Sequence, residues 1–364
     1  MLLKDRYSTA FYQRFGEVAT HVIPGFDSKR YQQRIFLKEW PAMELKDRMK
    51  HSARALRFYM PDDFTAAAIL LEELVTALQT ASFFGASMEF MFLPHYVEEY
   101  GLDYPDAAIR AFEILTPFSS CEFAIRPFIQ RYPEKMMEAM QQWARHPNHH
   151  VRRLASEGSR PRLPWGIALA ALKKDPSPAL PILQLLKNDP SDYVRRSVAN
   201  HLNDIAKDNP AVVIAIARQW QGQSAATDAI IKHGCRSLLK QGHTAILSLY
   251  RLKEKHFSLS DIQVKSNSVR IGKSLQIDFT VTNNTARAQR LRLEYAIWFR
   301  LKNGTHYRKV FKISEREIAG RARVHYSKKH LFRVITTRTY YKGEQAISLI
   351  LNGSEKKKIA FRLT

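Results

Sequence analysis

Two segments 43 residues apart constrain this chain more than any other feature. HPNHHVRRLASEG, around Val151, and DPSDYVRRSVANHLND, around Val194, both run from a proline-bearing turn into Val-Arg-Arg and on into a helix-forming stretch. That spacing is the period of HEAT and armadillo arrays, in which stacked helix pairs bury a core that no single pair can close. PALPILQLLKNDP and AVVIAIARQW supply second helices, and EKMMEAMQQWARHP the one before them. Upstream, DDFTAAAILLEELVTALQ is rich in helix formers and capped by Asp62 or Asp63. No further Val-Arg-Arg precedes residue 146, so the earlier repeats are degenerate or differently arranged.

Beyond Ser260 the apolar period changes to two. Leu275, Ile277, Phe279 and Val281 alternate with polar residues, as do Leu291, Leu293, Tyr295, Ile297 and Phe299, and later Ile359, Phe361 and Leu363. Alternation of this kind predicts strands with one dry and one wet face. Asn303-Gly304 and Asn352-Gly353 lie between such runs, and Asn-Gly favours the type I′ turn of a tight hairpin. Several short strands in about 100 residues suggest an immunoglobulin-like sandwich. Cys121 and Cys235 fall outside it and are expected to be buried, reduced thiols. The predicted fold class is multi-domain: an N-terminal all-α HEAT-like repeat solenoid over residues 1–256, then an all-β immunoglobulin-like sandwich over residues 260–364.

Charge narrows the choice of partner. The net charge is +23 and the pI about 10.0, a field that attracts polyanions. The excess is concentrated late, with 23 Lys and Arg against 7 Asp and Glu from Phe257 to Thr364. Arg287, Arg290, Arg292, Lys328, Lys329 and the EKKK run at 355–358 extend a nucleic-acid footprint if they share a face; taken singly, such lysines guard edge strands against aggregation. No apolar run approaches the roughly 18 residues of a membrane span, and MLLKDRYSTAFYQRF lacks the apolar core of a secretory signal. A cytoplasmic protein without a membrane partner is expected.

Placing the first repeat helix at about 100° per residue clusters Val151, Leu154, Ala155 and Gly158 on one packed face. Arg153 and Glu157 point away from it, one turn apart. Arg196 and Asn200 take the same directions in the second repeat, with Asn203 and Asp204 nearby, so a polar strip recurs on neighbouring helices. Two readings stand for Arg152 and Arg195: contact with phosphates, or pairing with an aspartate of the next repeat that only supports the stack. Glu157 is likewise either a functional carboxylate or a plain i,i+4 partner of Arg153. The RPRLPWG hook that follows is stiffened by Pro161 and Pro164, which hold Arg160, Arg162 and Trp165 in place at reduced entropic cost. A rigid loop presenting charge and an indole suits binding, although a lone tryptophan is more often buried in a core.

HHVRRLASEGSRPRLPWG, DPSDYVRRSVANHLNDIAKDNP and the early ELKDRMKHSARALRFYMP together resemble the AlkC branch of the bacterial DNA alkylation-repair glycosylases, over roughly residues 1–256. The resemblance implies a HEAT-like repeat domain, to which some members append an immunoglobulin-like one. It implies a monofunctional DNA glycosylase removing cationic N3-methylated bases, chiefly 3-methyladenine and also 3-methylcytosine. The lesion is then not turned out into a pocket; a concave surface grips the sugar and phosphates around it. No metal or organic cofactor is implied. Glu157, Trp165, Asp204 and Glu122 take the catalytic positions on this basis.

Those residue types suit that chemistry. An N3-methylated adenine already carries positive charge, so it leaves as a neutral base without a strong general acid. Carboxylates aimed at the oxocarbenium-like sugar stabilise the charge that develops there, and one of them can orient water. The Trp165 ring face attracts cations by about 0.5–2 kcal/mol. Arg152, Arg153, Arg160, Arg162, Arg195, Arg196, Asn200 and Asn203 form the expected grip on DNA, giving affinity without sequence readout. The expected partner is double-stranded DNA containing alkylated bases, bound by a nucleoid-associated monomer with no obligate protein partner. Two other readings stay open: a non-catalytic repeat protein that binds damaged or structured DNA, and an adaptor for an acidic protein.

Overall fold

The protein is described here by a computed structural model covering residues 2–83, 88–335 and 338–364. It divides into two compact units, Met1–Gly234 and Cys235–Thr364. The first is helical: α1 (Thr9–Val22), α2 (Ser28–Ile35), α3 (Leu45–Arg57), α4 (Phe64–Thr80), α5 (Phe92–Tyr100), α6 (Pro105–Leu115), α7 (Arg126–Arg131), α8 (Pro133–Trp143), α9 (His149–Gly158), α10 (Ala170–Lys174), α11 (Leu180–Leu186), α12 (Asp192–Asp208), α13 (Pro210–Trp220) and α14 (Ala225–Gly234). Local chemistry sets where they begin. Asp63, rather than Asp62, caps α4 by accepting from the Ala66 amide at 2.9 Å, and Asn148 caps α9 by accepting from His150 at 2.8 Å. Pro105, Pro133 and Pro210 open α6, α8 and α13, where a missing N–H costs nothing.

The repeat pattern becomes stacked pairs. α8 packs on α9, α9 on α12 and α12 on α14. Val151, Leu154 and Ala155 are fully buried in that stack, as are their repeat neighbours Val194 and Val198. The region before residue 146 keeps helices but changes its filling. Tyr7, Tyr12, Phe15, Tyr31, Phe90 and Phe92 make an aromatic core in place of the repeat's aliphatic one. Among the described residues no helix is long and apolar enough to cross a membrane.

The second unit holds α15 (Arg236–Gln241), α16 (Thr244–Leu249), β1 (Phe257–Val264), β2 (Ser268–Val269), β3 (Ser274–Asn283), β4 (Gln289–Arg300), β5 (His306–Ile318), β6 (Arg323–Leu331), β7 (Gly343–Leu351) and β8 (Ser354–Leu363). One sheet has the order β1-β3-β6 and the other β2-β8-β7-β4-β5. The alternating residues of β3 and β4 face each other in the core, with Ile347, Leu349, Phe361 and Leu363 completing it. α15 and α16 belong to this unit because Gly353 packs directly on Gly242 and on the Leu247 side chain, leaving no room for a Cβ.

Two sequence expectations change here. The middle of β4 is dry on both faces, because Arg292 and Glu294 are buried as a pair at 2.6 Å, with Glu315 3.0 Å from the same guanidinium. Arg292 therefore cannot reach a partner molecule, and Lys328 and Lys329, adjacent on β6, point to opposite faces. Of the two Asn-Gly pairs, Asn352-Gly353 has both φ values positive (46° and 81°), as a type I′ turn requires. At Asn303-Gly304 only the glycine is left-handed, and the Leu301 amide donates to Thr305 across a longer loop.

Candidate active site

The first arginine of each motif does the same structural work. Arg152 Nη1 donates to the His146 and Pro147 carbonyls at 2.9 and 2.7 Å; Arg195 Nη1 donates to Asp189 and Pro190 at 2.6 and 2.9 Å. Arg152 also grips Asp189 of the next repeat with two bonds, at 2.6 and 3.0 Å. Both guanidinium groups are thus committed to turns. Arg152 pairs with an aspartate of the next repeat, whereas the carboxylate beside Arg195 is Asp192 of its own helix, at 3.2 Å.

The hook is pinned from below by a residue the sequence reading missed. Arg126, at the start of α7 and fully buried, donates through Nε to the Ile167 carbonyl at 2.6 Å and through Nη1 to Gly158 at 2.9 Å. Burial, then the Arg160 charge, lowers its pKa to about 10, so it stays cationic at neutral pH. Gly166 lies so near this side chain that a Cβ would meet Arg126 Cδ at 3.1 Å. With both ends tied, Trp165 is held at a positive φ of 67° and is 69% exposed. A tryptophan in that conformation, facing water, is costly and points to a ligand rather than to a core. Its carbonyl accepts from Lys46 Nζ at 2.6 Å.

Beside the hook runs a chain of alternating charges. Glu122 Oε2 accepts from Arg153 Nη1 at 2.5 Å and from Ser120 Oγ at 2.8 Å. Arg153 Nη2 stands 3.6 Å from Glu157 Oε1, which accepts from Arg160 Nη1 at 2.5 Å. Glu157 Oε2 accepts from Ser197 Oγ at 2.6 Å. Arg160 turns its other edge to Asp204 Oδ2, with Nε at 2.8 Å and Nη2 at 2.6 Å, and Asp204 Oδ1 accepts from Lys207 at 2.9 Å. Glu157 and Arg160 are each 6% exposed and Asp204 is 2% exposed. Glu157 is thus more than an i,i+4 partner of Arg153. Beneath it, His201 is wholly buried; burial, then the Arg160 charge, pushes its pKa down to about 3, leaving it neutral.

Glu122, Arg153, Glu157, Arg160 and Trp165 line one cleft of about 460 Å³. Asp204 stands behind Arg160 rather than on the cleft lining. Arg160 itself is enclosed by Glu157 and Asp204. Arg162 lies outside the cleft lining in a two-bond pair with Asp208, at 2.7 and 2.6 Å. Arg196 pairs with Asp192 at 3.0 Å on the exposed face of α12. Asn200 Oδ1 lies 3.0 Å from His233 Nε2, and Asn203 is buried within α12. The cleft also brings in His150 and Tyr193, which were not singled out. Tyr193 carries the Arg153 guanidinium on its ring at 4.5 Å. The repeat held the signal, because His150 and Tyr193 occupy the same place before Val-Arg-Arg. Among the described residues no group of three or more His, Cys, Asp or Glu is placed to hold a metal ion.

Residues 113–236, which supply most of this cleft, match the family described as DNA alkylation repair enzyme. Residues 258–364 match that described as Uncharacterised protein YhaZ, C-terminal Ig-like domain. The chain is 40% identical over 362 residues to the Uncharacterized protein YhaZ of Bacillus subtilis (strain 168), covering 99% of each. It also matches the solved structure of Pseudomonas fluorescens alkylpurine DNA glycosylase AlkC bound to DNA containing an abasic site analogue, with a TM-score of 0.93, 33% identity and 100% of both chains covered. Matched end to end in sequence and in fold, the chain belongs to the AlkC-like DNA alkylation repair enzymes that carry a C-terminal immunoglobulin-like domain.

Proposed function

We propose that this protein is a monofunctional DNA glycosylase that hydrolyses the N-glycosidic bond of cationic N3-alkylated bases, 3-methyladenine and 3-methylcytosine, without turning the base out into a pocket. The observation that carries this reading is the pair of carboxylates, Glu122 and Glu157, on one cleft, each held by an arginine and a serine hydroxyl. Carboxylates fixed in this way need no reorganisation as positive charge develops on the sugar, and a partly buried setting strengthens their effect. Glu157 stabilises the sugar cation, and either carboxylate orients the attacking water. Asp204 acts through Arg160, holding the guanidinium that aims Glu157. DNA as the partner is supported by the AlkC structure, which holds DNA with an abasic site analogue. The basic second unit extends the grip along the duplex through its exposed cations, Arg287, Arg290 and Lys329 among them.

Duplex DNA carrying 3-methyladenine, incubated with the protein and then treated with alkali, is expected to break at the lesion and to stay intact without alkali. Binding without release would instead establish the non-catalytic reading. Trp165→Gly separates site from scaffold. Glycine accepts a positive φ freely, so the variant should melt at or above the wild-type temperature. Its base release should fall by about 2- to 30-fold, the equivalent of one cation–π contact of about 0.5–2 kcal/mol. A lowered melting temperature with unchanged release would make the indole a packing residue.

A further inference from the structure

Between Glu122 and Glu157 the protein has built a cage for a cation and filled it with one of its own. The Arg153 guanidinium lies 2.5 Å from one carboxylate, 3.6 Å from the other and 3.3 Å from Ser120 Oγ, with the Tyr193 ring 4.5 Å beneath it. Anions on two sides and an aromatic floor are the elements by which proteins hold cations. The side chain is only 14% exposed, so little water competes for these contacts. Such a position is poor for gripping a backbone phosphate, which would bring a second anion beside two carboxylates.

We propose that Arg153 is a specificity-determining residue: a resident cation that keeps the cleft filled until a cationic nucleotide displaces it. This rests on the glycosylase reading. A neutral damaged base or an ordinary sugar offers the carboxylates nothing in exchange for the guanidinium, whereas an N3-alkylated nucleotide, or the sugar cation formed from it, replaces charge with charge. The released guanidinium is then free for the phosphate that accompanies the lesion. Discrimination against neutral nucleotides arises from the contacts that must be given up, not from the shape of a pocket.

The test compares two duplexes, one with a cationic pyrrolidine abasic-site mimic and one with the neutral tetrahydrofuran analogue, bound by the full-length protein at pH 8. The measured quantity is the ratio of the two affinities. Arg153→Met empties the cage without adding charge and is expected to raise the ratio about tenfold, since the mimic then meets unoccupied carboxylates. Arg153→Lys keeps a resident cation, so its ratio should stay within about twofold of the wild type. Tyr193→Leu removes the floor and leaves the arginine; an increase of about two- to threefold is expected, which keeps the test decisive if Arg153→Met folds poorly. Equal weakening toward both duplexes in Arg153→Met, or a fall in the ratio, would overturn the proposal and make Arg153 a phosphate contact or a strut. Failure of the wild-type protein to release any base would overturn the glycosylase reading alone, because the ratio does not depend on catalysis.

Discussion

Glu157→Gln is expected to lower base release by about 10²- to 10³-fold, the usual consequence of losing one preorganised group that meets developing charge. The amide has the size of the carboxylate; its oxygen can still accept from Arg160 and its NH2 can donate to the Ser197 hydroxyl, the groups that now hold Glu157 at 2.5 and 2.6 Å. Shape and anchoring survive while the negative charge disappears, so the loss should fall on the chemical step. Affinity for a duplex with a neutral abasic analogue should stay within about threefold, because that ligand carries no cation for the missing charge to meet. Single-turnover release from 3-methyladenine DNA, measured beside equilibrium binding, separates the two effects. A variant that releases base at the wild-type rate would remove Glu157 from the chemistry.

What could be read from residues alone follows the range of the forces involved. The solenoid was legible because its core recurs locally: Val151, Leu154 and Ala155 repeat at helical spacing, and each is buried. The sandwich core was legible for the same reason at period two, as in Leu275 to Val281. Glu157 and Trp165 stood out because the hook that bears Trp165 is stiff and the polar strip recurs. Arg126 gave no such signal. It meets Gly158 and Ile167 across 32 and 41 residues, and only the folded chain brings them together. The buried faces of β4 were hidden likewise, because Arg292 and Glu294 read as a wet face until their pairing is seen. The hardest distinction lay among the arginines. In each Val-Arg-Arg the two sit side by side, yet the first ties a turn through backbone carbonyls and the second pairs with carboxylates, Arg153 with Glu122 of the turn before α7 and Arg196 with Asp192 of its own helix. A helical wheel separates their directions but not the partners that decide their roles.

Arg160→Met is expected to lower the stability of the helical unit by about 3–5 kcal/mol, the cost of breaking a buried ion pair from one side. Burial decides the magnitude. An exposed pair is worth about 0–1 kcal/mol, but Glu157 is 6% exposed and Asp204 2%, and one guanidinium serves both. Methionine fills much the same volume and leaves two carboxylates in a dry site without the charge between them. Lys207 at 2.9 Å from Asp204, and Ser197 at 2.6 Å from Glu157, soften the loss, which favours the lower end of the range. Thermal and urea melts measure it, and a drop below 1 kcal/mol would show that the bridge contributes no more than a surface pair. Adding Asp204→Leu to Arg160→Met should recover about 1–2 kcal/mol, because a charge abandoned in the interior is replaced by an apolar group. Base release should not return with stability. Without Arg160 nothing holds Glu157 Oε1 against the hook, and its carboxylate is free to turn toward Arg153 at 3.6 Å. The fold would then be repaired while the aim of the carboxylate stays lost, which separates what Arg160 contributes to the scaffold from what it contributes to the chemistry.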